Sequence, residues 1–139
     1  MTQRFSITTS SHPDRLCDIA DFVESAACEC GLDENQVCDV QMAVDEACSN
    51  IIEHAYHGKP DGKIDLVCER RGDKFIVTIQ DLGDRFDPNK VPPPKTRGPL
   101  SCRRVGGFGL FFMRKLMDKV TFDFSPKQGN RLTMVKKIK

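Results

Sequence analysis

The chain lacks several features that would each place it in a broad class. Basic residues show no excess: 21 Lys and Arg stand against 20 Asp and Glu. Binding nucleic acid by neutralising many phosphates needs such an excess, so no direct nucleic-acid partner is expected. No apolar run approaches the roughly 20 residues that span a bilayer, so no membrane association is expected. The first residues, MTQRFSITTS, hold no apolar core of a signal peptide. Cysteine occurs seven times, an odd number, and no Cys-x-x-Cys pair is present. A secreted disulfide framework favours an even count, and structural zinc favours close pairs. The expectation is a cytoplasmic protein with reduced thiols, buried as small hydrophobes. No Gly-Lys-Ser/Thr phosphate loop, internal repeat or low-complexity tract is present beyond one proline-rich run.

At 139 residues, one domain spanning 1–139 is expected, long enough to bury a core without disulfides. RFSITTS alternates as a short strand. A helix follows, with Pro13 in its first turn and Gly31 just past its end. Asp33 and Gln36 form a capping box for a second helix, whose Val37, Val40, Val44, Ala47, Ile51 and Ala55 step along one face. KIDLVCER and KFIVTIQD read as an antiparallel hairpin. Residues 82 to 106 have no periodicity and hold five prolines, the pattern of a functional loop. GGFGLFFMRKLMDKV reads as a helix opened by glycines, and VTFDFS and RLTMVKKIK as a last hairpin. The expected fold is α+β: one mixed, mostly antiparallel sheet covered on one face by helices.

Three local patterns carry chemistry. On the second helix, Glu46, Asn50 and His54 lie four residues apart, away from the apolar stripe. Glu46 supplies a proton-accepting carboxylate, and Asn50 a neutral oxygen suited to a hard cation such as Mg²⁺. In QDLGDRFDP, Asp81 closes an apolar strand and Gly83 follows, an acceptor beside backbone that a flat ring can approach. In RRVGGFGLFFMRKL, Gly106, Gly107 and Gly109 precede or open a helix whose free N–H groups favour phosphate. Arg103 and Arg104 add positive charge upstream. Each pattern alone also suits a solvated helix face, a strand-ending turn or a plain Gly-rich turn.

Order and spacing join them. AVDEACSNIIEHAY, DLGDRFDP and GGFGLFFMRKLMDKV resemble the N, G1 and G2 boxes of the GHKL, or histidine-kinase-like, ATPase superfamily. More narrowly, the chain resembles the anti-sigma-factor serine/threonine kinases. The resemblance implies a two-layer α/β sandwich of the Bergerat type, with an ATP lid within 84–106. It implies ATP and Mg²⁺ as cofactors, Glu46 as the catalytic base and Asn50 as the metal ligand. Asp81 and Gly83 fall at the adenine, and Arg104, Gly107 and Gly109 at the triphosphate. Implied partners are a STAS-type antagonist as phosphoryl acceptor, a sigma factor, and a second copy of the chain. Two positions depart from the pattern. Arg85 stands where a second G1 glycine is usual, and Gly129-Asn130-Arg131 replaces a common Gly-Thr-Thr. The alternative is an ATP-dependent protein-binding module without phosphoryl transfer, against which the presence of both Glu46 and Asn50 argues, since a pure binder needs no base. The ATP-binding part of a histidine kinase ranks lower, because His12 lies in the turn-like SSHPD.

Overall fold

The computed structural model describes residues 3–85 and 109–139. Nearly all of the expected lid lies outside them, together with Arg104 and Gly107.

Among the described residues five strands form one sheet: β1 (Gln3–Ser10), β2 (Lys63–Arg71), β3 (Lys74–Asp81), β4 (Lys119–Ser125) and β5 (Gly129–Lys137), in the order β1-β2-β3-β5-β4. Among the described residues every pairing is antiparallel, so the sheet expected to be mixed and mostly antiparallel is antiparallel throughout them. The reason lies in the connections. The two hairpins β2-β3 and β4-β5 run antiparallel through short turns, and the β1-β2 and β3-β5 pairings extend the sheet in the same sense. Ile64, Leu66 and Cys68 on β2, Phe75, Val77 and Ile79 on β3, and Leu132 and Met134 on β5 are buried. Their alternation defines one inward face.

Among the described residues three α-helices lie against that face: α1 (Leu16–Glu29), α2 (Glu34–Asn50) and α3 (Gly109–Leu116). A 3₁₀ turn at Pro13–Arg15, capped by the His12 side chain, leads into α1. The capping box of α2 is formed, with the Asp33 carboxylate accepting from the Gln36 N–H at 2.8 Å. Gln36 itself is buried, and its Nε2 donates to the Lys137 main-chain oxygen at 2.7 Å, tying the start of α2 to β5. α2 is the middle helix, with α1 on one side and α3 on the other. Ala47, Cys48, Ser49 and Asn50 are therefore all buried. The expected split between an apolar stripe and an exposed polar face fails at this end of the helix, because a central helix has no open side there.

Two boundaries also differ. α3 stops at Leu116 and β4 begins at Lys119, so the last residues of the expected third helix turn into the sheet. Past Asn50 the chain widens into a π-helical turn over Ile51–Ala55, with Tyr56 N–H donating to the Ile51 oxygen at 3.0 Å. Such turns recur at functional sites, and this one breaks the four-residue register that placed His54 beside Asn50. Of the six described cysteines, Cys30, Cys48 and Cys68 are buried as expected. Burial pushes the Cys68 thiol up to about 12 and the Cys48 thiol higher still. Cys17, Cys28 and Cys38 are exposed, which corrects the burial expected for them. Among the described residues no helix is long and apolar enough to cross a membrane, and no cluster of His, Cys, Asp and Glu suits a metal ion.

Candidate functional site

A cavity of about 240 Å³ opens between the end of α2 and the sheet. Ala47, Asn50 and Ile51 line it from the helix, and Met113 lines it from α3. Ile79, Asp81, Phe122, Phe124, Asn130 and Leu132 line it from the strands, and Arg85 from the segment after β3. Two of these residues are polar and almost wholly buried: Asn50 is 3% exposed and Asp81 is 2%. A helix residue and a strand residue 31 positions apart are thus brought to one cavity.

Asp81 ends β3, and the chain must turn there. Its Oδ1 accepts from the Gly83 N–H at 2.9 Å and from Asn130 Nδ2 at 2.9 Å. Burial raises its pKa above the ordinary carboxylate value, and the two hydrogen bonds, from Asn130 and then Gly83, pull it back. The turn is anchored on the residues that follow α2. Asp84 N–H donates to the Ala55 oxygen at 2.8 Å, and Leu82 N–H to Tyr56 Oη at 2.8 Å. Asn130 Nδ2 also donates to the Asp84 oxygen at 3.0 Å. The carboxylate is held by its own turn and by β5, and the turn in turn by the residues that follow α2.

Gly83 has a second use besides any approach to a ring. A Cβ there would stand 2.6 Å from the Ala55 oxygen and 2.7 Å from its carbon. Both are backbone atoms and cannot swing aside. Gly83→Ala is expected to separate the turn from the helix end and cost about 1–3 kcal/mol, as overpacking does. Urea unfolding measures this, and an unchanged midpoint would remove the packing role. Gly129 is the matching case on β5. Its φ is +78°, and a Cβ would collide with the Asp81 carbonyl oxygen. Glycine there lets Asn130 sit directly opposite Asp81 in the β3-β5 register.

The structure brings Asn50 and Asp81 together in the cavity lining and sets Gly83 beside Asp81 through its N–H, but places Glu46 differently. Glu46 is half-buried on α2, one turn before Asn50 and outside the cavity lining. Gly109 is the first residue of α3, the helix that contributes Met113 to the cavity. His54 is also outside the lining, with its Nε2 3.9 Å from Glu53. Two residues were flagged in the sequence only as departures, and the structure gives both a place. Arg85 stacks its guanidinium over Phe124, 5.1 Å from the ring centroid. Asn130 bonds directly to Asp81, so the missing Gly-Thr-Thr does not leave that carboxylate unsupported. Phe124 carried no signal in the sequence beyond strand alternation.

The donor set suits a nucleotide and Mg²⁺. Asn50 makes no side-chain capping bond to the turn that follows it, and it lines the cavity with a buried amide. That suits an oxygen ligand to a hard cation. Asp81 offers an acceptor for an amino group, and the apolar Ile79, Met113 and Phe122 suit a flat base. The residues present fit both groups.

Comparisons with known proteins give the family. Residues 9–136 match the histidine kinase-like ATPase domain. A "Serine-protein kinase RsbW" of Staphylococcus aureus strain RF122 is 37% identical over 106 residues, 73% of this chain and 65% of the relative. A protein of the same name from Listeria innocua is 31% identical over 116 residues, 81% of this chain and 73% of the relative. The chain thus spans slightly under two thirds of the staphylococcal relative's length. Among solved structures, the RsbU and RsbW domains of Rv1364c from Mycobacterium tuberculosis superpose with a TM-score of 0.71. That match covers 98% of this chain and 32% of the other at 17% identity, which is a likeness of fold. The chain belongs to the histidine kinase-like ATPase family, on the branch that holds the serine-protein kinases named RsbW.

Proposed function

We propose that the chain is an ATP-dependent serine/threonine protein kinase that regulates a sigma factor by partner switching. The observation that carries this reading is the meeting of buried Asn50 and buried Asp81 in one cavity, with Glu46 one turn away on the same helix. When bound, Mg-ATP supplies the transferable phosphoryl group and the cation that neutralises its charge. Asp81 accepts from the base amino group and sets the nucleotide's direction. Asn50 ligates the cation through its amide oxygen. Glu46 takes the proton from the hydroxyl of the acceptor protein, about one helical turn (about 6 Å) from Asn50 along the axis. Arg104, Gly107 and Gly109 bind the phosphates, through a guanidinium and through backbone N–H groups near the start of α3.

The acceptor is a STAS-type antagonist, the second partner is a sigma factor, and the active unit is a homodimer in the cytoplasm. The test mixes the protein with Mg-ATP and a STAS-type protein encoded beside it, and follows phosphate by mass spectrometry. One phosphate on a Ser or Thr of the acceptor is expected. Tight ATP binding with no transfer to any such partner would support the binding-module alternative instead.

A further inference from the structure

We propose that the solvent face of α2 from Cys38 through Met42 to Glu46 is the seat of the phosphoryl acceptor, with Met42 as its apolar anchor. The acidic surface around Met42 selects an acceptor whose hydroxyl is set among basic residues. This rests on the kinase reading and names where, and by what chemistry, the acceptor binds, which that reading leaves open.

Cys38, Met42, Glu46 and Asn50 follow one another at four-residue steps within α2, whose α-helical register runs unbroken from Glu34 to Asn50. Residues at that spacing share a face, so the four form one gently winding stripe. Exposure falls along it. Cys38 is exposed, Met42 is 51% exposed, Glu46 is half-buried, and Asn50 is 3% exposed in the cavity lining. The stripe thus runs from open surface down to the site. α1 and α3 flank α2 on its two sides. With a nucleotide in the cavity, a hydroxyl therefore reaches Glu46 from the outer end of the stripe. The residue it passes there is Met42, about 6 Å from Glu46 along the helix axis.

Single exposed apolar side chains are ordinary on a protein surface. Among the described residues the large ones are Met42, Leu82 and Phe124. Phe124 lines the cavity, and Leu82 belongs to the Asp81 turn, which leaves Met42 without a part in the nucleotide site. Its place one turn from Glu46 supplies one. Methionine is unbranched and polarisable, so it moulds to the surface it meets. The charge around it has one sign. α1 (LCDIADFVESAACE) and α2 (ENQVCDVQMAVDEACSN) carry four Asp and Glu each and no Lys, Arg or His. All 21 Lys and Arg of the chain lie outside these two helices. Two of the carboxylates are met from there, Asp18 by Arg15 at 2.9 Å and Asp39 by Lys136 at 3.0 Å. Asp45 and Glu46 follow Met42 within about one turn, so the anchor is rimmed by negative charge. Such a rim draws a positive surface and repels a negative one. The acceptor that fits has an apolar contact for Met42 and Lys or Arg around its hydroxyl.

The experiment measures phosphoryl transfer from Mg-ATP to the STAS-type protein encoded beside the chain, at varied acceptor concentration. Met42→Gln keeps the length of the side chain and removes its apolar character. It is expected to raise the acceptor KM by about tenfold, with kcat within about twofold of the wild type. Met42→Leu retains an apolar contact and is expected to bring KM back to within about threefold of the wild type. Raising ionic strength from about 0.05 to about 0.5 M is expected to raise the wild-type KM by about threefold or more, as screening removes the attraction. Calorimetry with Mg-ATP should give one affinity for all three proteins, and circular dichroism one fold. An unchanged acceptor KM in Met42→Gln would overturn the inference, and so would a loss of kcat without a rise in KM. A wild-type KM that does not rise with salt would overturn the choice of a basic acceptor. A changed oligomeric state of Met42→Gln in light scattering would give the face to a second copy of the chain instead. If the wild type transfers no phosphate, the kinase reading falls, and calorimetric titration of the same acceptor in Mg-ATP decides the seat. Binding weakened about tenfold by Met42→Gln then upholds it, and absent or unaltered binding overturns it.

Discussion

Asp81→Asn is expected to lower ATP affinity by about ten- to a hundredfold while leaving the fold as stable or more so. The affinity loss follows from losing one charge-assisted hydrogen bond, worth about 1.5–3 kcal/mol. The geometry sharpens it. Gly83 N–H and Asn130 Nδ2 both donate to Oδ1, so an asparagine at 81 keeps its oxygen on that side. Its NH₂ must then face the ligand, where it meets the donors of the base. Stability moves the other way. Burial raises the Asp81 pKa in the folded protein, so folding favours the protonated form. That stabilising contribution is present below the ordinary value of 3.8 and is lost as pH rises through the raised folded value. At neutral pH the buried charge is a cost, and the amide removes it. Thermal unfolding and calorimetry on the same samples test both halves. In the wild type, ATP affinity should also fall on acidification, beginning above pH 3.8, and the asparagine variant should lose that dependence. Unaltered ATP affinity in the variant would remove Asp81 from base recognition.

Glu46→Gln is expected to slow phosphoryl transfer by about 10²–10⁴-fold, the usual contribution of a general base. ATP affinity should stay near normal, because Glu46 lies outside the cavity lining. Glutamine keeps the size and the hydrogen-bonding reach but cannot take the proton. Asn50→Ala makes the contrast. Asn50 lines the cavity and is almost wholly buried, so its loss should weaken Mg-ATP binding as well as transfer. Single-turnover rates with a STAS-type acceptor, paired with nucleotide affinities, separate the two roles. Wild-type transfer rates in Glu46→Gln would show that another group is the base.

Much of this was legible in the chain alone. The Asp33-Gln36 box, the Val37-to-Ile51 stripe and the β2-β3 hairpin depend on neighbours within a few residues, so local pattern suffices for them. The three motifs also announced which side chains to examine, because each pairs a residue type with a spacing that chemistry requires. What local pattern lacked was the surroundings of each residue. The burial of Asn50 follows from α2 lying between α1 and α3, which no helical periodicity within α2 can express. The π-helical turn at Ile51–Ala55 interrupts an apparently unbroken spacing, and the ladder pattern has no sequence signature there. Asn130 shows the difference most sharply. By sequence it was a missing threonine, 49 residues from Asp81. The β3-β5 register, made possible by Gly129 at φ +78°, sets it directly against the Asp81 carboxylate. The sequence by itself determined the elements and the reactive groups, since both arise from short-range chemistry. The tertiary structure alone decided which groups face one another and how each amide is oriented, because hydrogen bonds between distant strands exist only once the sheet has closed.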